Sequence, residues 1–439
     1  MKLKSNKIKY LLSLLLILLL NIGEIRAQDD DYVKDNFIRY QDWVYQSNIK
    51  TVQLRETSYE LAPAIIEFGT DQKLELSFDD LDGGFKNYNY TLIHCDAAWV
   101  PTDFVQTEYL SGFFEDNISN YTYSTNTLQS YTHYKVNFPN NNMNLSKTGN
   151  YIVLVYENNS KENPVLSKRF MVYQNLVTIT GNVHQASSAD EYFNKQEVDF
   201  TIYHTSYNLS NPFADLKIVI TQNNRWDNAI YGMKPMFTKQ SELTFDYDDG
   251  TNCFEGGNEF RNFDDKSLKF YTQYIQKIYK DSSSLYRVLL IPDELRTFKR
   301  YMQNPDLNGE FYIRTQEMDN NDNEADYCLV HFFFPYDNPL ADGNFYVNGK
   351  FSDWRLTKEN KMAYNSHKLG YECDIYLKQG FYNYQYIYAQ DGKKTQDVTT
   401  IEGNHWETEN DYTILVYHRK IGTYYDQLIG VKKLNSMRK

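Results

Sequence analysis

Short runs of alternating apolar and polar residues recur along the chain from Lys73 onwards. The first is Leu74-Glu75-Leu76-Ser77-Phe78, and comparable runs continue as far as Tyr173. Alternation places successive side chains on opposite faces of the backbone, which is typical of a strand with one buried face. Between these runs, residues 79–84 and 140–149 are rich in Asp, Asn and Gly, which accept turn conformations. The pattern predicts an antiparallel β-sandwich that ends near residue 175.

A second series of strand-like runs begins at Val177 and continues to residue 334, where Pro335 interrupts it. The clearest run of all lies in the last quarter of the chain, at 377–388. Four alternate tyrosines share one face of this run: Tyr382, Tyr384, Tyr386 and Tyr388. We predict a mainly β fold of about three consecutive antiparallel β-sandwich-like domains, at 28–175, 176–337 and 338–439, the last of them immunoglobulin-like.

The first 27 residues do not fit this strand pattern. Four lysines precede the apolar run Leu11 to Leu20, and Ile25-Arg26-Ala27 supplies a small-residue cleavage site. This arrangement predicts a cleaved signal peptide at 1–27, because the apolar run is shorter than the roughly 20 residues that a membrane span needs. The mature chain is predicted to be exported and not itself membrane-spanning.

Charge and composition narrow the choice of partners. The formal net charge is −13, and removal of a leader with four Lys, one Arg and one Glu takes it to −17. Nucleic acid is excluded as a partner, because its binding depends on Lys and Arg that neutralise phosphates. Aromatic residues make up 16% of the chain, and we expect many of the 40 tyrosines to lie on the surface.

No motif predicts catalysis, a metal or a cofactor. The chain lacks a Gly-x-Ser-x-Gly elbow, a His-Glu-x-x-His pair and a phosphate-binding glycine loop, so we predict that it is not an enzyme. Its eight histidines occur singly, and Glu324 stands where a calcium loop containing Asp319, Asn321 and Asn323 would need glycine.

Four cysteines are spread through the chain and leave their redox state open. Cys95, Cys253, Cys328 and Cys373 include no Cys-x-x-Cys pair, so a zinc or thioredoxin-like site is not expected. In an oxidising compartment three disulfide pairings are possible, and buried free thiols are an equal alternative.

The segment 256–264 carries the densest group of polar residues in the middle of the chain. It contains Asn258, Glu259 and Arg261, and Arg261 could pair with Glu259 or Asp264. Two interpretations follow. These residues form either a buried hydrogen-bonded brace or a partner-binding patch.

Residues 345–354 resemble a motif of starch- and glycogen-binding β-sandwich modules. The motif ends in Trp354, whose indole could stack on a sugar ring or could anchor the core of the sandwich. Trp354 therefore joins Asn258, Glu259 and Arg261 as a candidate partner-binding residue.

Several motifs in order along the chain resemble one family, the periplasmic plug proteins of the Bacteroidota type IX secretion system. The motifs that carry the resemblance are 87–95 with Trp99, 108–113, 124–127, 131–134, 222–225, 258–264, 306–309, 377–380 and 424–428.

The resemblance implies a non-enzymatic gating subunit. Such a protein would plug the periplasmic end of the outer-membrane type IX translocon barrel while no cargo is engaged. It would lie in the periplasm, peripherally associated with the inner side of the outer membrane. The alternative function is a periplasmic or secreted carbohydrate-binding protein that uses Trp354.

Overall fold

The computed structural model describes residues 37–393 and 396–437, so the predicted signal peptide lies outside the described residues. Within these ranges there are three one-turn helices, α1 (Pro212–Asp215), α2 (Asn321–Glu324) and α3 (Thr399–Glu402), with 3-10 turns at Gln106–Glu108 and Lys350–Ser352. Nearly all other regular structure is strand, which confirms the mainly β fold class. No helix in the described ranges reaches the length and apolar character of a membrane span.

The first sandwich contains twelve strands between residues 43 and 173. They are β1 (Trp43–Val44), β2 (Ile49–Glu56), β3 (Ile65–Glu67), β4 (Leu74–Asp80), β5 (Tyr88–Cys95), β6 (Leu110–Gly112), β7 (Glu115–Asn117), β8 (Asn120–Tyr123), β9 (Thr132–Phe138), β10 (Met143–Leu145), β11 (Gly149–Glu157) and β12 (Pro164–Tyr173). One large sheet has the order β1-β12-β11-β5-β7, with β3 beside β12, and the other has the order β2-β4-β9-β8, while β6 and β10 form a separate two-stranded sheet. Phe78 and Tyr134 stack between them with ring centroids 5.3 Å apart.

The second sandwich takes strands from two distant parts of the chain. They are β13 (Thr178–Gln185), β14 (Lys195–Tyr203), β15 (Leu216–Gln222), β16 (Ile230–Tyr231), β17 (Phe237–Lys239), β18 (Glu242–Phe245) and β19 (Cys253–Glu255), joined by β30 (Asp411–His418) and β31 (Gln427–Asn435). One sheet has the order β13-β14-β18-β17, with β19 beside β14, and the other has the order β16-β15-β30-β31.

The third sandwich lies between the two parts of the second. Its strands are β20 (Arg261–Asp264), β21 (Ile275–Lys280), β22 (Tyr286–Leu290), β23 (Phe311–Ile313), β24 (Tyr327–Pro335), β25 (Gly343–Asn348), β26 (Ala363–Asn365), β27 (Gly370–Lys378), β28 (Gly380–Gln390) and β29 (Gln396–Asp397). One sheet has the order β21-β22-β24-β27-β26, and in the other β28 pairs with β20, β23, β25 and β29.

Strand pairing differs from the division predicted at 337–338. Strand β24, before that boundary, pairs along its whole length with β27, after it. Strands β30 and β31, expected in the last domain, instead extend the sheet of β15, where Ile218 lies opposite Val416. The reason is that Pro335 and the turn residues mark where strands end, whereas the choice of partner strand depends on burying apolar faces far apart in sequence.

The tyrosines are used differently from the expected surface role. Tyr382, Tyr384 and Tyr386 are buried in the core of the third sandwich, and Tyr382 stacks on Phe311 with ring centroids 5.2 Å apart. Most of the largest fully buried side chains of the described chain are tyrosines, including Tyr88, Tyr151 and Tyr417. Tyrosine therefore serves mainly as a core residue whose hydroxyl reaches a hydrogen-bond partner.

A candidate partner-binding loop and its supports

The connection between β22 and β23 carries two large apolar side chains into solvent. Phe298 is 97% exposed and Met302 is 77% exposed. Both lie on residues 292–302, which we call the exposed loop, and the cations Lys299 and Arg300 lie between them. Burying large exposed apolar side chains is the main source of affinity at a protein interface, and arginine is enriched there.

The start of the exposed loop is fixed by Asp293. Its Oδ1 accepts a hydrogen bond from the Arg261 guanidinium at 2.8 Å. Its Oδ2 accepts from the buried hydroxyls of Tyr384 at 2.8 Å and Tyr386 at 2.6 Å. Arg261 also donates to the backbone carbonyl of Glu294 at 2.7 Å. The loop therefore begins on a carboxylate whose partners belong to the core of the third sandwich.

Glu402 is the second anchor and is almost fully buried. It accepts from Arg261 Nε at 3.0 Å, from Arg296 Nε at 2.8 Å and from the Tyr386 backbone N–H at 2.8 Å. Burial alone would raise the pKa of Glu402, but the charges of Arg261 and Arg296 outweigh it and hold that pKa below its usual value. Glu402 is thus an ionised group shared by two arginines.

The end of the exposed loop is held by Glu259. Its carboxylate accepts from the Tyr301 hydroxyl and from the Glu409 backbone N–H, the latter at 3.2 Å. Desolvation raises the pKa of Glu259. Asn258 donates to the Glu402 backbone carbonyl at 2.7 Å. Together these contacts hold both ends of the loop and leave Phe298 and Met302 free of the core.

The structure brings together three of the four residues singled out from the sequence. Asn258, Glu259 and Arg261 all lie at the base of the exposed loop. The partners of Arg261 are Asp293 and Glu402, not the expected Glu259 or Asp264. Glu259 instead accepts from Tyr301 and from the Glu409 backbone N–H, and Asp264 pairs with Lys266. The contacts of this group with the loop are those of a brace. Direct binding of a partner by these residues stays a prediction.

Trp354 lies elsewhere, between the second and third sandwiches. It is 5% exposed, with Phe260 against its ring at a centroid distance of 5.8 Å and the Arg225 guanidinium 4.5 Å from its ring centre. A sugar could stack on this indole only if those neighbours moved. No observation favours the carbohydrate-binding alternative.

Sequence reasoning missed Phe298 and Met302. The exposed loop shows neither the helical repeat nor the alternation of a strand, so its apolar residues could not be assigned to a buried or an exposed face. The available signal was the occurrence of Phe298 and Met302 among cations in a long segment without strand alternation.

Buried charges also join the first sandwich to its neighbours. Asp426 accepts from Arg419 Nε at 2.7 Å, Lys217 Nζ at 2.8 Å and the Ala97 backbone N–H at 3.0 Å, which links the second sandwich to the first. Tyr417 donates to Asn150 Oδ1 across the same junction at 2.8 Å. Asp426, one of the residues that carried the family resemblance, therefore lies where two sandwiches meet.

The remaining sequence candidates have structural roles or stay unassigned. All four cysteines are free thiols. Within the stretch that resembles a calcium loop, Asn321 and Asn323 belong to α2, and Asp322 pairs with Lys135 at 2.7 Å. That ion pair joins α2 to the first sandwich, so the acidic stretch contributes to a junction.

Comparison with known proteins decides the family. Residues 49–174 match the family model described as the type 9 secretion system plug protein 1st domain. The crystal structure of a hypothetical protein from Parabacteroides merdae ATCC 43184 is 32% identical to this chain, with a TM-score of 0.87. That similarity covers 91% of this chain and 100% of the other. The chain belongs to the type 9 secretion system plug protein family.

Membership of the plug protein family confirms the resemblance seen in the sequence. It gives the chain a role in type IX secretion, as a protein of the cell envelope that associates with a secretion component. The search of curated proteins found no match.

Proposed function

We propose that this plug protein closes the periplasmic end of the type IX translocon barrel in the outer membrane while no cargo is engaged. The observation that carries the proposal is the set of buried polar contacts that joins the three sandwiches. A stopper has to keep its shape against a wide aqueous opening, and these contacts join the three sandwiches into a body with few independent parts.

Two junctions supply most of this support. Between the first and third sandwiches, Asp326 accepts from the backbone N–H groups of Leu128 at 2.7 Å and Gln129 at 3.1 Å. Between the first and second, an apolar cluster that includes Trp99, Leu415 and Tyr417 is buried. Interfaces that combine apolar burial with satisfied hydrogen bonds resist relative motion of domains.

The exposed loop is the part of the surface that we assign to docking. Phe298 and Met302 would enter an apolar recess of the translocon, and Lys299 and Arg300 would face acidic groups around it. In this proposal Asn258, Glu259 and Arg261 act by holding the loop in its binding shape, which lowers the entropy lost on association.

The function is tested by deleting the gene in a cell that has the translocon and measuring entry of a bulky antibiotic. We expect increased entry, reversed by the unmodified chain on a plasmid. Unchanged entry would contradict the gating role. Purification of cargo-free translocon should also recover a tagged copy of the chain.

Docking is tested separately with the double variant Phe298→Ser, Met302→Ser. We expect loss of co-purification with the translocon and an unchanged melting temperature, because neither side chain packs in the core. The matched control is Phe270→Ser, which removes an exposed phenylalanine from the same sandwich. Equal co-purification of the double variant and the control with the translocon would show that the exposed loop is not part of the interface.

A further inference from the structure

Three neighbouring strands of the second sandwich place a group of metal-ligating residues side by side. His184 on β13 lies directly opposite Glu197 on β14, and Glu197 lies opposite Cys253 on β19. Asp199 is two residues beyond Glu197 on the same strand and so projects from the same face of the sheet. The arrangement is invisible along the sequence, where its members are spread over 70 residues.

The distances suit a single small cation. One ligand atom each from His184, Glu197 and Asp199 lies within 4.8 Å of the other two. The Nε2 atom of His184 is 2.6 Å from Asp199 Oδ2, and the Cys253 sulfur is 4.0 Å from Glu197 Oε2. Bonds of about 2.0 to 2.3 Å to a tetrahedral zinc ion need ligand atoms about 3 to 4 Å apart, close to the spacing of His184, Glu197 and Asp199. The Cys253 sulfur lies outside this group of three and joins it only by a side-chain rotation.

A buried carboxylate oxygen in this group lacks a hydrogen-bond partner. Glu197 is 1% exposed, and its Oε2 accepts from the Ser187 backbone N–H at 2.7 Å. Its Oε1 is buried and has no partner among the described residues. A buried acceptor without a hydrogen-bond partner is unfavourable, so this oxygen is the one best placed to gain from a ligand.

Surrounding hydrogen bonds orient two of the candidate ligands. His184 Nδ1 donates to the backbone carbonyl of Gln185 at 2.7 Å, which directs Nε2 towards the carboxylates. Asn252 donates to Asp199 Oδ1 at 2.9 Å and leaves Oδ2 facing His184. Such outer contacts fix the tautomer and orientation of metal ligands in proteins.

We propose that His184, Glu197, Asp199 and Cys253 bind a zinc ion that links β13, β14 and β19. The imidazole nitrogen and the thiolate favour Zn²⁺ over Mg²⁺ or Ca²⁺, which prefer oxygen ligands alone. The ion replaces the proton shared by His184 and Asp199 and the thiol proton of Cys253, and both protons pass to solvent. His184 and Asp199 are partly exposed, so the ion has access to the site from solvent.

The competing explanation is a simple ion pair between His184 and Asp199 in which Glu197 takes no part. The two explanations differ in what Glu197 and Cys253 contribute. An ion pair needs neither residue and binds no metal.

The test uses the full mature chain, stripped of metal with a chelator and titrated with Zn²⁺ against a chromophoric competitor. We expect one ion per chain and a raised melting temperature, because a ligand that binds only the folded state stabilises it. His184→Ala and the near-isosteric Glu197→Gln should each weaken binding by about 10-fold or more. His331→Gln, which removes another histidine paired with a carboxylate, is the matched control and should bind normally.

Cobalt substitution tests the thiolate. Co²⁺ bound to the unmodified chain should show a near-ultraviolet thiolate-to-cobalt band that disappears in Cys253→Ser and remains in Cys373→Ser. Lack of zinc binding by the unmodified chain, or equal binding by Glu197→Gln, would overturn the site in favour of the ion pair. A cobalt spectrum without that band would remove Cys253 from the ligand set.

Discussion

Lys378 Nζ lies 2.6 Å from Asp79 Oδ2, and this ion pair joins the third sandwich to the first with both side chains almost fully buried. Asp79 also accepts from the Tyr327 hydroxyl at 2.7 Å and from His133 Nδ1 at 2.6 Å. Burial acts to raise the pKa of Asp79, but Lys378 and His133 outweigh it and lower that pKa. The carboxylate is therefore charged and fully partnered at the centre of a domain junction.

Replacing Asp79 with Ala should destabilise the protein strongly. The variant would leave the Lys378 ammonium buried without its counter-charge, a change that typically costs about 3 to 5 kcal/mol. Chemical denaturation at neutral pH measures the loss. The matched control is Arg314→Ala, which breaks an exposed pair with Glu60 between the same two sandwiches and should cost less than about 1 kcal/mol. Similar losses of unfolding free energy in both variants would show that the buried pair contributes no more to stability than the exposed pair.

His94 should make stability depend on pH in the mildly acidic range. Desolvation lowers the pKa of His94 to about 4. Between pH 6.5 and 4 the unfolded chain binds a proton here that the folded chain does not, so stability falls as pH falls through this window. The full effect is about 3 kcal/mol. The free energies of unfolding of the unmodified chain and of His94→Gln, measured against pH, should therefore converge towards pH 4, because the glutamine variant lacks this loss. Curves that stay parallel would contradict the assignment to His94.

Asp265 should make stability depend on pH in the opposite direction. It is fully buried, and desolvation raises its pKa to about 8, although Oδ1 accepts from the Gly380 backbone N–H at 2.8 Å. A carboxyl with a raised folded-state pKa stabilises below its unfolded pKa, and this contribution is lost as pH rises through about 8. We expect Asp265→Asn to raise the unfolding free energy at pH 8 and to lose this advantage towards pH 4. Asp264→Asn, at a partly exposed carboxylate paired with Lys266, is the control and should lack that pH-dependent gain.

The strands were predictable because each satisfies a local rule. The alternation at 74–78 corresponds to β4, and the run at 377–388 corresponds to the end of β27 and most of β28. Which strands pair was not predictable, because β15 and β30 find each other across 188 intervening residues by burying apolar faces. Nothing in the local pattern of β30 distinguishes a strand of the second sandwich from one of the third.

The same limit applies to the sites. Arg261 could be singled out because an arginine among acids and glycines is unusual, but its partners Asp293 and Glu402 lie 32 and 141 residues away. His184 looked like an isolated histidine until strand pairing placed it beside Glu197. Side-chain chemistry is readable from sequence, whereas the juxtaposition of side chains depends on register, which long-range packing sets.

Gly309 offers a test of how Trp354 fixes the junction between the second and third sandwiches. A Cβ on Gly309 would lie 2.1 Å from the Trp354 ring, and the backbone there has a φ of +83°. Gly309→Ala should therefore suffer both a steric clash and the backbone strain of about 1 kcal/mol or more that a left-handed conformation imposes on alanine. Gly392→Ala is the matched control, because its φ is +76° and open space surrounds the added carbon. We expect Gly309→Ala to lower the melting temperature well beyond the control. Equal changes in melting temperature would show that the Trp354 ring moves aside without destabilising the protein.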